Sequence, residues 1–283
     1  MSRLRSSPEL HPGRRAARRI LARAGLMVAG GPPRPSLRIL TYHRVNDLHP
    51  GDRMTVRRAA FRAQMELLAA SGRPVLPLAD AIPMLSGAGA SLPHGAVCVT
   101  FDDGYRDNLT CAAPELDRLG LPATVYIVTG RMGAPAAIDR YLGCCDDDRS
   151  LTWEEAGALE RRGHALGGHG RNHRELARLD APALRMEVLG CQEDLARHLG
   201  APRSQFCYPR GSEDAQVRAA LAEAGFSAAV TVYPGVNPPG TDPFLLRRTE
   251  VSGFDEIRDF HLKMDGAFDA LHRLWQRLRP RGA

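Results

Sequence analysis

Short apolar runs alternate along the chain with stretches of helical periodicity, and this rhythm is the first clue to its architecture. Residues 37–45, with Tyr42 and His43 toward the C-terminal end, read as the first strand. Residues 96–101 (Ala-Val-Cys-Val-Thr-Phe) form a continuous apolar run with β-branched residues, the mark of a strand buried on both faces. The signal recurs at residues 123–129, 164–168, 205–208, 227–232 and 245–251, with a shorter extended segment at 74–78. Helical spacing fills the intervals. Residues 56–70 place Phe61, Met65 and Leu68 on one face behind Thr55 as cap, and a short helix covers 79–85. Residues 107–119 close at Gly120, and 180–199 close at Gly200. Thr152 and Glu155 make a capping box for a helix to Arg162, and residues 214–224 form another helix. This alternation predicts an α/β chain with a mostly parallel sheet, and the length of 283 residues suits a barrel.

The two ends differ from this body. Residues 1–36 close on Gly30-Gly31-Pro32-Pro33-Arg34-Pro35, a linker by composition, and Ile20, Leu21, Ala24, Met27 and Val28 recur at helical spacing among arginines. That pattern is a basic amphipathic helix, able to lie on an anionic membrane surface or to dock on its own domain. At the other end Phe268, Leu271, Trp275 and Leu278, with arginines between, predict a second one. The expected division is a helical appendage and linker over 1–36, a barrel over 37–255 and a helical tail over 256–283.

Charge bears on partners only once it is located. The formal net charge is +6, but residues 1–36 hold eight arginines against one acid, while the remainder has 30 basic and 31 acidic residues. A neutral body argues against nucleic acid as a partner. No apolar run approaches the roughly eighteen residues needed to span a bilayer. Arg23 interrupts the apolar stretch near the N-terminus, which argues against a secretory leader. The six cysteines show no metal or disulfide spacing, and Cys144-Cys145 are adjacent, a poor geometry for bridging. A reducing, cytoplasmic setting is therefore expected, with peripheral contact at the inner membrane through the N-terminal helix.

Chemistry concentrates where strands end. Asp102 and Asp103 close the run at 96–101, and two carboxylates at the mouth of a buried strand need compensation, from a metal ion or within a simple turn. Tyr42-His43, His169 and Tyr208-Pro209-Arg210-Gly211 also follow strands, and in a parallel barrel all such endings open on one face. His169 and His173 stand four apart, so a helical turn after Gly168 would put both imidazoles on one side. With a carboxylate from Asp102-Asp103 they make a two-nitrogen, one-oxygen set suited to Zn2+ or another first-row divalent ion. Asp146-Asp147-Asp148, three successive acids, read instead as a solvated loop.

Thr100-Phe101-Asp102-Asp103-Gly104, then Gly168-His169-x-x-x-His173-x-x-Leu176, then Phe206-x-Tyr208-Pro209-x-Gly211 resemble the first three motifs of the polysaccharide deacetylase family, the NodB-homology group of carbohydrate esterase family 4. Tyr42-His43-Arg44-Val45 is similar to the opening strand of one branch, and the likeness spans about residues 37–251. It implies a deformed (β/α) barrel of seven or eight strands and metal-dependent removal of acyl groups from an N-acetylated glycan or lipid-linked sugar. It also implies Asp102 as general base and Asp103, His169 and His173 as metal ligands. Tyr208, Pro209 and Arg210 would line the substrate and oxyanion side, and Arg248 would tune the base, with Arg210 as runner-up. His43 could line the site or pack on the barrel.

Three departures from the family pattern stand out. Gly170 replaces the usual Ser or Thr, which predicts a looser His169. Cys207 stands where many members carry an arginine. The leucine-and-histidine pair that supplies the general acid has no match, since His261 and His272 come too late. Two alternatives therefore stand beside the deacetylase: a catalytically inactive carbohydrate-binding barrel and a deformylase of a lipid-linked aminosugar.

Overall fold

Seven of the apolar runs become the staves of one closed barrel. A computed structural model describes residues 12–29, 35–135 and 148–269. Its elements in order are α1 (Pro12–Ala29), β1 (Arg38–Tyr42), β2 (Arg44–Val45), β3 (Thr55–Val56), α2 (Arg58–Ala70), α3 (Leu78–Ser86), β4 (Val97–Phe101), α4 (Ala113–Leu119) and β5 (Ala123–Ile127). There follow α5 (Trp153–Arg161), β6 (Ala165–Gly168), α6 (Ala181–Leu199), β7 (Gln205–Cys207), α7 (Ala215–Glu223), β8 (Ala228–Pro234), β9 (Leu246–Glu250) and α8 (Ile257–Met264). The barrel order is β1-β4-β5-β6-β7-β8-β9, all parallel, and β9 closes on β1 through Leu40↔Thr249 and Thr41↔Glu250.

Alternation along each strand sorts the residues into two layers. Ile39, Cys98, Tyr126, Cys207, Val230 and Leu246 pack in one cluster, capped from the strand N-termini side by Leu78, Ala81 and Leu85 of α3. Leu40, Val99, Val125, Phe206 and Ala229 pack in the other, against Phe61, Met65, Leu116, Leu159, Leu195 and Leu221 of the surrounding helices. Continuing the first set upward brings His43, Asp102 and Arg248 to the mouth, which is why a filled barrel still carries a polar site at one end. At β6 the fit is tight. A Cβ on Gly167 would come within 2.6 Å of the Tyr126 ring, so only glycine lets β6 pass and deliver His169 to the mouth.

Several local expectations change. Helix α2 starts at Arg58 and has no side-chain cap; Thr55 instead bonds Asp52 at 2.7 Å while Thr55-Val56 pairs with Arg44-Val45. The β-branched pair gains a ladder there that a helix start would forgo. The helix expected over 107–119 opens with a π-turn, Asn108–Ala112. Asp148 is not solvated: it is 2% exposed, 3.0 Å from His49 and 3.5 Å from Arg44. Cys144, Cys145, Asp146 and Asp147 lie outside the described residues, as does the tail beyond Asp269. Phe268, the first residue of the expected tail helix, is buried with Ala22 of α1, Leu262 and Ala267.

The capping box forms as expected, and Glu155 does more than cap. Its carboxylate accepts from the Thr152 N–H at 2.9 Å, from both Arg149 terminal nitrogens at 2.7 Å and from Arg106 Nε at 2.8 Å. Partial burial pushes its pKa up, but the arginines and the cap outweigh this and bring it down to about 2. The unfolded chain titrates near ~4.3. Glu155 therefore contributes stability above that pH, and this is lost as pH falls from ~4.3 through ~2. Glu155→Gln should lower the unfolding free energy at neutral pH by about 2–3 kcal/mol and flatten the acid limb in that window, measured by denaturant titration.

Candidate active site at the barrel mouth

The strand β4 leaves the barrel through two successive left-handed residues, Asp103 at φ 72° and Gly104 at φ 64°. Gly104 turns against Ile127, whose Cγ2 would lie 2.8 Å from an added Cβ. The turn separates two neighbouring carboxylates. Asp102 continues the ladder, donating its N–H to Tyr42 O at 2.9 Å, while Asp103 swings toward β6.

Asp102 faces a guanidinium. Arg248 Nη1 and Nη2 donate to its two oxygens, each at 2.7 Å, and Arg248 Nε donates to Thr231 O at 2.8 Å. Arg248 Nη2 also lies 3.3 Å from Cys207 Sγ. Burial alone would push the Asp102 carboxyl up, but Arg248, with His43 and His169, holds it below the usual carboxylate range. The arginine expected at position 207 is thus replaced by Arg248 reaching across from β9, and Arg210, the runner-up, is exposed in the turn Pro209–Gly211.

Asp103 faces imidazoles. Its Oδ1 lies 3.3 Å from His169 Nε2 and 3.5 Å from His173 Nε2, and the two rings are 4.9 Å apart between centres. All three side chains are nearly inaccessible. Burial works against the Asp103 charge, but the His169 hydrogen bond and the nearby imidazoles hold it well below the usual range. Burial, reinforced by His169, takes His173 down to about 4, so its ring is neutral near pH 7 with a lone pair to offer. For His169 burial is outweighed by Cys207, Asp103 and Asp102, which raise it.

This donor set fits a divalent cation. The ligand atoms of Asp103, His169 and His173 lie within 4.8 Å of one another. His169 Nδ1 donates to Cys207 O at 2.7 Å, which leaves Nε2 as the nitrogen turned to Asp103. A second trio, Asp102, His169 and Cys207, is equally close. Its carboxylate is clamped by Arg248 and its imidazole shares Nδ1 with a carbonyl, so the Asp103 trio is the better site.

The expected helical turn between the histidines is absent. Residues 169–175 form a loop in which His173 has φ 58°, and the rings meet because α6 shapes that loop. Glu187 of α6, 1% exposed, accepts from the N–H groups of Arg171 at 3.1 Å and Asn172 at 2.8 Å, and from Asn172 Nδ2 at 2.8 Å. Gly170 does not loosen His169: its φ of 73° suits glycine, and His169 is held by Cys207 O and by its own N–H to Ile127 O at 2.9 Å. Sequence reading missed Glu187, although its signal was a glutamate between Leu184, Val188 and Cys191 on the buried face.

His43 Nε2 lies 3.9 Å from Asp102 Oδ2 with its side chain 18% exposed, so it lines the mouth. Its carbonyl accepts from Asn108 Nδ2 at 2.8 Å, and Asp107 accepts from the Val45 N–H of β2 at 3.1 Å, so the π-turn latches the His43 segment. Tyr208 is buried; its N–H donates to Val230 O at 3.3 Å and its hydroxyl to Phe244 O at 3.0 Å. Pro209 is buried beside it and Arg210 has φ 56°. Asp103, His173 and Arg210 are the non-glycine residues with positive φ among the described residues, and all three border this mouth. His261 sits away on α8, paired with Asp265 at 3.0 Å, and His272 lies outside the described residues.

One mouth of a closed parallel barrel thus brings together a buried Asp-His-His trio that fits a cation and a guanidinium-clamped aspartate. Residues 89–229 match the family model for polysaccharide deacetylase, and the chain belongs to that family. It is similar to the Bacillus subtilis (strain 168) protein YxkH, provisionally named a polysaccharide deacetylase, at 26% identity over 76% of this chain and 71% of that one. A poly-β-1,6-N-acetyl-D-glucosamine N-deacetylase of Escherichia coli (strain K12) is 30% identical over 43% of this chain, which is 18% of that protein. In fold the chain is similar to the Streptococcus pyogenes deacetylase PplD, solved with acetate, with TM-score 0.69 and 19% identity over 81% of this chain and 98% of that one.

Three outcomes follow from the geometry. Glu187→Ala should weaken binding of Zn2+ by ~10–100-fold, since it frees the loop that carries His173; competition against a chromogenic chelator measures this. The same titration should weaken as pH falls, because the cation competes with a proton for His169. Arg248→Met leaves a buried carboxylate without its cation and should cost about 3–5 kcal/mol in urea unfolding.

Proposed function

We propose that the chain hydrolyses the acetamido group of an N-acetylated sugar in a polysaccharide, an oligosaccharide or a lipid-linked glycan. The observation that carries this is the division of labour between adjacent carboxylates, Asp102 bound to Arg248 and Asp103 facing His169 and His173. Asp103, His169 and His173 would hold a Zn2+ or similar first-row ion, which would supply Lewis acidity to lower the pKa of water toward ~7 and to offset charge on the acyl oxygen.

The chain's own residues then divide the proton transfers. Asp102, ionised at neutral pH, accepts a proton from the attacking water as its oxygen bonds the acyl carbon. Arg248 keeps that carboxylate charged and fixes its plane through two parallel hydrogen bonds. His43 faces the same space and carries the complementary task, giving a proton to the amide nitrogen as the C–N bond breaks. Acetate and a free amino sugar leave. This fills the acid role for which the sequence offered no late histidine. The turn Tyr208-Pro209-Arg210 borders the substrate side, with the Arg210 guanidinium at its rim.

The inactive-barrel alternative loses its motivation: the base, the ligand trio and a candidate acid all converge on one mouth. Acetate release should be followed on N-acetylated oligosaccharides and lipid-linked sugars, with N-formylated analogues alongside. Asp102→Asn should reduce it by ~10²–10⁴-fold while Zn2+ content stays unchanged. Asp102→Asn activity equal to wild type would remove Asp102 as the base, and turnover confined to formylated sugars would change the acyl group assigned. His43→Gln should lose activity on the amide far more than on an acetyl ester with a good leaving group, since only the amine needs the proton.

A further inference from the structure

Helix α1 is docked the wrong way round for a surface helix. Its inner face is held by charge and by small contacts. Arg19 donates to both Asp259 oxygens at 2.6 Å and to Glu256 at 2.9 Å, and the Arg18 guanidinium lies 4.7 Å over the Phe268 ring. Ala22 is fully buried against Leu262, Ala267 and Phe268, with Leu26 packed beside them. Three large apolar side chains point the other way. Ile20 is 67% exposed, Leu21 55% and Met27 88%, and Ala16, Ala17 and Ala24 are exposed with them. An amphipathic helix ordinarily buries its apolar stripe and wets its charged one. Here ion pairs pin the helix so that the stripe faces outward.

We propose that this face is an interfacial anchor that lies on an anionic lipid surface. Charge selects the occupant. Eight arginines against one acid sit in residues 1–36, and Arg23 is exposed on the outward side between Ile20 and Met27. An apolar stripe beside an exposed guanidinium, in a segment so rich in arginine, matches an acyl layer beneath acidic headgroups. A second copy docking through the same face would bring two strongly basic segments together, which the charge disfavours. Nucleic acid would leave Ile20 and Met27 against phosphates. Among the described residues no helix is long and apolar enough to cross a membrane, so the contact is peripheral.

The docking also sets the orientation. Arg19 meets the start of α8, and Leu26 lines a cavity with Met264 at its last position and Asp265 just past it, so α1 and α8 run side by side in one direction. Since α8 leads away from the C-terminal end of β9, α1 runs from the mouth end of the barrel toward its floor. A bilayer against the outward face would pass along the flank and leave the mouth opening beside the surface, within reach of headgroup-borne or surface-bound sugars.

The test is vesicle co-sedimentation of the full chain. Phosphatidylcholine vesicles containing about one-third phosphatidylglycerol should pellet it, whereas phosphatidylcholine alone should not. Raising NaCl from about 0.1 M to about 0.5 M should release it. The triple variant Ile20→Ser, Leu21→Ser, Met27→Ser keeps every arginine and should bind at least about tenfold more weakly. Met27→Asp alone, at the most exposed position, should act in the same direction. Because these side chains face solvent, melting temperatures of both variants should match wild type. Equal pelleting of wild type and both variants would overturn the proposal, as would equal pelleting by neutral vesicles. A dimer in light scattering that the triple variant converts to monomer would assign the face to a second copy and overturn it likewise.

Discussion

The structure is built around a problem of charge burial: two adjacent carboxylates, each 4% exposed, at the end of one barrel strand. In so dry a place neither can stay ionised without its own partner. Asp102 takes a guanidinium delivered from β9, two strand positions round the barrel from β4 across the closure at β1. That pair also ties the last stave to β4, so the barrel's closure and the charge state of the site share one interaction. Asp103 takes two imidazoles from the β6 loop, and their chemistry invites a cation in addition.

Everything near the mouth serves to keep those two solutions apart. Consecutive positive φ values at Asp103 and Gly104 turn one carboxylate away from the other. Glycines at 167 and 168 let β6 slide between Tyr126 and Phe206 to present His169. Glu187 gathers the amides of Arg171 and Asn172, and so shapes the loop that returns His173 to Asp103. Gly104, Gly167, Gly168 and Glu187 act on the site through backbone geometry and touch no reacting atom. Their strain and burial are tolerable because the surrounding helices bury a continuous apolar layer around the strands.

The N-terminal helix shows the same priority of charge over apolar pattern. Arg19 with Asp259 and Glu256 decides which side of α1 faces the protein, and the apolar stripe is left outside. Periodicity gave the stripe its existence, yet an ion pair to a residue 240 positions away gave it its direction.

What the linear chain determined is considerable. Apolar runs and helical spacings specified the seven barrel strands, the capping box at Thr152 and Glu155, and the glycines that end α4 and α6. Strand-end placement singled out Asp102, Asp103 and His169, because strand direction alone sends such residues to one mouth; the histidine spacing added His173, and Arg248 came from the family resemblance. Local sequence could not decide which carboxylate meets which partner, because that depends on the left-handed turn at Asp103 and on the barrel closing β9 against β1. Nor could it find Glu187, Asn108 or the role open to His43, whose partners lie on other elements. The histidine spacing suggested a helix where a loop stands, since the geometry between them is set by α6 packing and not by i, i+4 repetition. Composition and period act along the chain; the pairing of buried charges acts across it, and only the folded barrel brings those groups within reach.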